Sequence, residues 1–203
     1  MTSTDVGTAA GKVLRPAYPL LTERLLLRPF EDGDLDALYD IERRADVARY
    51  LYWGPRTRGE VRAALDLRKG MTAIDEHSQT VRLAAVVRDT GAMIGDFSLH
   101  LVSREHQQGE IGFVMHPEHH GKGYATEASL VLLRLGFDDL GLHRIVGRCD
   151  ARNAASARLM ERLGMRREAH FRENEFVKDE WCDELVYAML ATEWGARRRS
   201  LTL

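Results

Sequence analysis

The sequence contains little that would cross-link the chain or place it in a membrane. It has only two cysteines, Cys149 and Cys182, and no CxxC pair, so we expect free thiols rather than a disulfide or a metal site. Its apolar runs are a few residues long, far short of the roughly 20 needed to cross a bilayer. The opening residues, MTSTDVGTAAGKV, lack the apolar segment of a secretory signal. These absences predict a soluble cytoplasmic protein without a membrane partner.

Neither sign of charge dominates the chain. The formal net charge of −2 offers no electrostatic footprint for nucleic acid, although Arg197, Arg198 and Arg199 make its end locally basic. The length of 203 residues fits one well-buried core. We therefore expect one domain over residues 19–194, a disordered segment over residues 1–18 before it, and a solvated basic tail over residues 195–203.

The spacing of apolar residues predicts an alternation of strands and helices. The segment LTERLLLRPF is typical of a strand that Pro29 ends, and two helices follow. Asp34 is placed to cap the first helix, and Val61, Leu65 and Arg68 share one face of the second. Three strands, a helix, a strand, a helix and a closing hairpin complete the order. Because hairpins pair strands antiparallel and a connecting helix usually makes them parallel, the sheet must be mixed.

One stretch, HPEHHGKGYATEA, follows a strand and opens a helix. Free backbone N–H groups and the positive end of the helix dipole meet at such a point, which indicates an anion site. Gly121 and Gly123 let the backbone approach a phosphate closely, and Lys122 adds charge. The spacing is not that of a nucleoside-triphosphate P-loop, since no Ser or Thr follows the lysine. It is not a dinucleotide fingerprint either, since Thr126 stands where a third glycine is required.

Three histidines, His116, His119 and His120, lie in the same stretch. Pro117 breaks any helix that would align them, and no nearby cysteine or HExxH pattern completes a zinc site. We expect no metal here and interpret the histidines as polar residues that flank the anion site.

Several motifs together resemble the GNAT superfamily of N-acetyltransferases. HHGKGYATEA is similar to that family's pyrophosphate loop, with His120, Gly123 and Ala125 at the positions of Gln or Arg, Gly, and Gly or Ala. NAASARLMERLGM resembles the family's following helix, which opens with Asn, here Asn153. LLTERLLLRPFEDGDLDAL, DVARYLYWGP, GEIGFVM and DEWCDELVYAML occur in the order expected of the RimJ/RimL-type branch, so that the resemblance runs from about Leu21 to Leu190.

The resemblance implies an α/β GNAT fold: a mixed, mostly antiparallel sheet of about seven strands, splayed in the middle and flanked by about four helices. It also implies an N-acyltransferase with acetyl-CoA as co-substrate, whose pantetheine lies between the GEIGFVM and HRIVGRCD strands. Backbone groups on the first of these strands would bond the pantetheine and polarise the thioester. The residues implied in coenzyme binding are Phe113, Met115, His120, Gly121, Lys122, Gly123, Tyr124, Ala125, Asn153 and Ser156.

An attacking amine must be neutral, so the reaction needs a proton acceptor. Glu110 shares a strand face with Gly112 and Val114, where a carboxylate in an apolar cleft would receive the proton through a water, unless it merely pairs with a surface arginine. Many GNAT enzymes protonate the leaving thiolate with a tyrosine, but Met160 stands at that position. Ser156, which resembles the serine of RimL-like relatives, is therefore the candidate acid.

The acceptor is the least defined part of the prediction. Deprotonation at pH 7 costs about 1 kcal/mol for an α-amino group and about 4.6 kcal/mol for a lysine, so one carboxylate suits the former. With the RimJ/RimL resemblance, this favours a protein or peptide N-terminus. A small-molecule amine (polyamine, antibiotic or amino acid) and a non-catalytic acyl-CoA-binding sensor are the alternatives. Tyr52 and Trp53 either wall the acceptor pocket or pack in the core, and a homodimer through the edge of the closing hairpin stays open.

Overall fold

A twisted sheet of eight strands organises the chain in a computed structural model that describes residues 11–201, without the side chains of residues 200 and 201. The strands are β1 (Leu20–Leu21), β2 (Leu25–Arg28), β3 (Thr80–Val87), β4 (Met93–Ser103), β5 (Gln108–Met115), β6 (Arg144–Asp150), β7 (Arg166–Val177) and β8 (Glu180–Leu190). The helices are α1 (Leu35–Glu42), α2 (Ala45–Ala48), α3 (Arg58–Lys69), α4 (Tyr124–Arg134), α5 (Ala154–Arg162) and α6 (Ala191–Leu201).

The strand order across the sheet is β1-β2-β3-β4-β5-β6-β8-β7. All neighbouring strands are antiparallel except β5 and β6, which pair in parallel over Gln108–Glu110 and Arg144–Val146 and then diverge. The predicted GNAT-type sheet, mixed, mostly antiparallel and splayed in the middle, is therefore confirmed. It has eight strands instead of about seven because the two-residue β1 adds an edge.

Helices cover both faces of the sheet. The main core includes Leu132 of α4, Leu159 of α5 and Trp194 of α6, and a smaller core on α1 and α3 includes Leu38 and Leu65. Burying each such aliphatic side chain contributes roughly 1.5–3 kcal/mol. The helix count exceeds the expected four because α2 is separate from α1 and because α6 was not predicted.

Both ends of the expected domain extend further than the sequence indicated. Leu14 is buried and its backbone pairs with Ile74, so the expected disorder is wrong for residues 11–18, whereas residues 1–10 lie outside the described part of the chain. The expected solvated tail is helical as far as Leu201. Arg198 of this helix pairs with Asp138 at 3.1 Å, and the indole N–H of Trp194 donates to the same carboxylate at 3.0 Å. The basic end of the chain is thus docked onto the domain.

Asp34 stands directly before α1 as expected, but its carboxylate does not cap that helix. It accepts two hydrogen bonds of 2.8 Å from the guanidinium of Arg28 and one of 2.9 Å from the N–H of Glu31. In α3, the expected face of Val61, Leu65 and Arg68 is buried.

The helix predicted from Gly123 to about Asp138 consists of α4 followed by one π-helical turn over Leu135–Asp139.

Cys149 and Cys182 are free thiols, and burial raises the pKa of Cys149 to about 11. No helix in residues 11–201 combines the length and apolar character needed to cross a membrane.

Candidate active site

The divergence of β5 from β6 exposes one edge of β5 beyond Glu110. The N–H of His116 donates to Ile94 O in β4 at 2.8 Å. Because successive residues of a strand alternate between its two edges, the backbone groups of Phe113 and Met115 point into the gap. Met115 O accepts a 3.1 Å hydrogen bond from His120 Nε2. The gap therefore has a hydrogen-bonding edge of the kind that the resemblance to GNAT enzymes implies.

The loop between β5 and α4 depends on two left-handed glycines. Gly121 has φ +74°, and Gly123, the N-cap residue directly before α4, has φ +84°. Residues other than glycine rarely adopt these conformations. A Cβ on Gly121 would meet open space, whereas one on Gly123 would lie 3.2 Å from the Arg24 guanidinium. Among the described residues no side chain caps α4 at Gly123, so its first N–H groups stay available to a ligand.

Arg24, in the turn between β1 and β2, adds a positive charge that the sequence analysis missed. Its Nη1 donates to Lys122 O at 2.8 Å and its guanidinium lies 4.8 Å from the centre of the Tyr124 ring. Glu127 holds it in place, with 2.7 Å between Arg24 Nη2 and Glu127 Oε2. Arg24 precedes Lys122 by 98 residues, so no local motif could have revealed the contact.

A cavity of about 760 Å³ opens beside this loop. Met115, Gly121, Gly123 and Ala125 line it together with Arg24, which brings four of the predicted coenzyme residues to one space. Its size is within the usual range of small-molecule sites, about 300–1,000 Å³. We call it the loop cavity.

Of the three histidines of the loop, His116 and His120 have separate hydrogen-bonding partners, and the His119 ring contacts those of His116 and Tyr124. His116 is buried, its Nε2 lies 3.1 Å from Asp40 Oδ2, and its Nδ1 accepts from the N–H of Glu118 at 3.3 Å. Burial lowers the pKa of His119. Within residues 11–201 no group of three or more His, Cys, Asp or Glu side chains is arranged to hold a metal ion.

Across the gap, α5 begins as the sequence predicts. The side chain of Asn153 caps the helix by accepting the Ser156 N–H at 3.1 Å. Ser156 lies half-buried in the first turn, and neither residue lines the loop cavity. Met160, at the position where the resemblance to GNAT enzymes implies a tyrosine, is fully buried, and its Sδ would lie 2.6 Å from a Cβ placed on Gly147 of β6. Because Met160 is buried against β6, an apolar side chain is expected at this position.

A second, smaller cavity of about 130 Å³ lies beside Glu110. We call it the charged recess and define it by five of its lining residues, which come from separate parts of the chain: Tyr52, Glu110, Arg148, Glu175 and Glu184. The whole lining holds six carboxylates and four cations, so the recess carries a modest excess of negative charge and favours a cationic ligand.

The surroundings of Glu110 are charged, which corrects the expected apolar cleft. Its Oε2 lies 3.3 Å from Arg148 Nε, and Arg148 Nη1 donates to Glu184 Oε2 at 3.1 Å. Glu110 thus pairs with an arginine, as the alternative held, and it lines the charged recess as well. Glu184 is only 4% exposed, and burial raises its pKa. Sequence analysis missed Glu184, although a carboxylate directly before the apolar run LVYAML was a usable signal.

Tyr52 and Trp53 separate in the structure. Tyr52 is 71% exposed and donates from its hydroxyl to the Glu175 carboxylate, at 2.8 and 2.9 Å from its two oxygens. Trp53 lies under the Arg56 guanidinium, 4.4 Å from the ring centre, and Arg56 pairs with the buried Glu42 at 2.8 Å. In the described chain only Tyr52 of the two lines the charged recess.

Comparisons with known proteins agree with this geometry. Residues 24–166 match the acetyltransferase (GNAT) domain family. The chain is 35% identical over 176 residues to the uncharacterized N-acetyltransferase YnaD of Bacillus subtilis, covering 87% of this chain and 99% of that protein. The crystal structure of a GNAT-family acetyltransferase from Bacillus anthracis matches with a TM-score of 0.78 and 33% identity, over 86% of this chain and 99% of that one.

A more distant relative has a named acceptor. The spermidine N(1)-acetyltransferase of Escherichia coli is 26% identical over 174 residues, which cover 86% of this chain and 90% of that enzyme. The family match spans most of the chain, from the strand β2 through the loop cavity to α5. The chain therefore belongs to the GNAT acetyltransferase family and is an acetyl-CoA-dependent N-acyltransferase.

Proposed function

We propose that the chain transfers an acetyl group from acetyl-CoA to a primary amine that enters the charged recess, with Glu110 accepting the amine's proton through a water. The observation that carries this proposal is the placement of two cavities along one strand. Met115, near the open end of β5, lines the loop cavity, and Glu110, at its paired end, lines the charged recess. Between them the edge of β5 is free to bond a thioester arm.

The loop fits the diphosphate of the coenzyme. Left-handed glycines, an uncapped helix start and the charges of Arg24 and Lys122 favour an anion there. Backbone N–H groups from Gly121 to Ala125 would bind the diphosphate, and His120 would orient the loop through Met115. Phe113, Met115 and Tyr124 would contact the pantetheine side, as would Asn153 and Ser156 from α5.

Proton movement is assigned to two side chains. The amine nitrogen attacks the thioester carbonyl and loses one proton, which passes through a water to the Glu110 carboxylate; the carbon–sulfur bond then breaks and the thiolate takes a proton. Ser156 is the proposed donor for that last transfer; its hydroxyl then regains a proton from water, and Glu110 releases the amine's proton to water. Arg148, 3.3 Å from Glu110, keeps the carboxylate in one orientation.

The leading acceptor is a protein or peptide N-terminus. The order of the motifs, which is that of the RimJ/RimL-type branch, supports it, and so does the low cost of removing a proton from an α-amino group.

A small-molecule amine such as a polyamine is the second candidate. The charged recess holds about 130 Å³, room for an aminoalkyl end and little else, and its carboxylates outnumber its cations. The spermidine-acetylating relative supports the same choice.

The test is release of free thiol from acetyl-CoA in the presence of peptides with free N-termini, N-terminally blocked lysine peptides and polyamines. Glu110→Gln is assayed in parallel, with Glu105→Gln, an exposed glutamate in the turn before the same strand, as the matched control. An amine that stimulates release in the wild type and the control, but far less in Glu110→Gln, supports both the transfer and its base. Tight acetyl-CoA binding without release for any amine would instead indicate a non-catalytic acyl-CoA sensor.

A further inference from the structure

We infer that Asp183 is a positioning residue of the acceptor site, because it holds an irregular segment of β7 that carries Asn174 and Glu175 to the charged recess. This inference rests on the proposed function of that recess. Asp183 itself lines the charged recess, but its two carboxylate oxygens bond to the Glu173 N–H and to His170, so we assign it an action through β7 and no contact with the reacting atoms.

The irregular segment is a large bulge in the edge strand. Phe171 pairs with Glu184 and Glu175 pairs with Cys182, so three residues of β7, numbers 172–174, oppose the single residue Asp183 of β8. In the middle of this bulge Glu173 has φ +48°, in the left-handed region that a glutamate rarely adopts. Such a conformation persists only where surrounding contacts hold it.

The Asp183 carboxylate supplies those contacts. Its Oδ1 accepts the backbone N–H of Glu173 at 2.9 Å, and its Oδ2 lies 2.8 Å from Nε2 of His170, two residues before the first bulge residue. Its own backbone is fixed to the other side of the site, since the N–H of Ala151 donates to Asp183 O at 2.9 Å. Asp183 thus ties the bulge to the turn that precedes α5.

The consequence appears in the two residues that follow Glu173. Side chains of consecutive residues in a regular strand point to opposite faces. Here both bond to residues of the charged recess: Asn174 Nδ2 donates to Glu184 Oε2 at 3.2 Å, and the Glu175 carboxylate, which itself lines the recess, accepts the Tyr52 hydroxyl. The bulge allows two successive side chains to bond to residues of one cavity, and straightening it would move one of them away.

The simpler interpretation is that Asp183 forms a surface ion pair with His170, which would matter little to activity. The two interpretations predict different results for a pair of substitutions at the same position. Asp183→Asn keeps an oxygen that accepts the Glu173 N–H but removes the charge, whereas Asp183→Ala removes both.

The first experiment measures steady-state kinetics with the best amine acceptor of the wild-type enzyme. For Asp183→Ala we expect the acceptor KM to rise by up to roughly tenfold, the upper end of what loss of one hydrogen bond costs, with the acetyl-CoA KM unchanged. Asp183→Asn should restore most of the difference, and His170→Ala should have the smaller effect. A parallel change in both KM values, or an Asp183→Asn variant as impaired as Asp183→Ala, would overturn the inference.

The second experiment alters the bulge without touching Asp183. Glu173→Pro removes the N–H and forbids a positive φ, so it should reproduce the acceptor defect of Asp183→Ala. Glu173→Gly, the matched control, keeps the N–H and tolerates the left-handed conformation, so it should retain wild-type kinetics. Thermal melting and acetyl-CoA binding identify variants that have simply lost the fold.

These experiments separate the inference from the function on which it rests. If the wild type acetylates an amine while Asp183→Ala and Glu173→Pro keep the wild-type acceptor KM, the positioning role is wrong and the proposed function stands. If the wild type acetylates no amine at all, the proposed function falls and the positioning role falls with it.

Discussion

The loop cavity and the charged recess lie along the same strand and are built in opposite ways. The anion-binding part of the loop cavity is mainly backbone: two left-handed glycines, an uncapped helix start and a free strand edge within residues 113–125, to which the distant Arg24 adds one side chain. The charged recess depends on side chains from four separate segments, around Tyr52, Glu110, Arg148 and the β7–β8 hairpin. A site made of backbone groups keeps its ligand contacts when side chains change, except where the new residue cannot adopt the required φ. A site made of side chains can change its ligand through single substitutions.

The most damaging single change to the charged recess should be Glu110→Gln. Loss of a general base typically costs about 10²–10⁴-fold in rate, so we expect kcat to fall at least about 100-fold while the acetyl-CoA dissociation constant stays unchanged. Stopped-flow or coupled thiol assays measure the first quantity, and calorimetric titration measures the second. A fall of less than threefold would show that another group takes the proton.

For the loop cavity, the most damaging substitution should be one that disturbs the backbone conformation. Gly123→Val forces a β-branched residue to φ +84° beside Arg24, so acetyl-CoA binding should weaken about tenfold or more. His120→Ala, the control, removes only the bond to Met115 O and should change binding less than about threefold. Equal effects of the two variants on the dissociation constant would contradict the contrast between the cavities.

Tyr52→Phe probes the recess more gently. It removes the hydroxyl that bonds Glu175 while keeping the ring, so we expect the acceptor KM to change about three- to tenfold. The acetyl-CoA KM should stay at the wild-type value because Tyr52 does not line the loop cavity. A change confined to the acetyl-CoA KM would show that Tyr52 acts on coenzyme binding and not on the acceptor site.

Glu127→Gln should affect stability more than catalysis. Burial alone would raise the pKa of Glu127, but hydrogen bonds from Thr22 and Arg24 outweigh it and lower the pKa. A carboxylate with a lowered folded-state pKa stabilises the protein above the unfolded value of about 4.3 and loses that contribution as the pH falls. At pH 7 we expect the melting temperature of Glu127→Gln to be lower than that of the wild type by about 2–4 °C for each kcal/mol lost from the free energy of unfolding. This difference should shrink below about pH 4. A constant difference down to pH 3 would contradict this assignment.

The order of strands and helices was predictable because period-two and helical spacings are local, and because residues such as Pro29 and Gly164 end elements by their own conformational limits. The extent of the domain at its two ends was not predictable from the sequence. Leu14 lies in a segment of mostly small and polar residues, and α6 has an arginine-rich sequence whose anchor, Trp194, is recognisable only from its burial and its contact with Asp138.

The same distinction separates the two halves of the candidate site. Gly121 and Gly123 could be identified because a backbone anion site is contiguous in sequence. Glu110 and Tyr52 were placed by resemblance, and the structure adds that they line one recess. Arg24 and Glu175 could not be placed, since their contacts join residues far apart in the chain and Glu175 reaches Tyr52 only through a bulge that no simple alternation predicts.

Amide hydrogen–deuterium exchange with and without acetyl-CoA tests the central claim most directly. If the coenzyme binds along the free edge of β5 and on the start of α4, added acetyl-CoA should protect peptides that cover residues 113–126. Peptides of the bulge, residues 172–175, should then respond only when an acceptor amine is also present. Protection of the bulge by acetyl-CoA alone, without protection of residues 113–126, would contradict the division into two cavities.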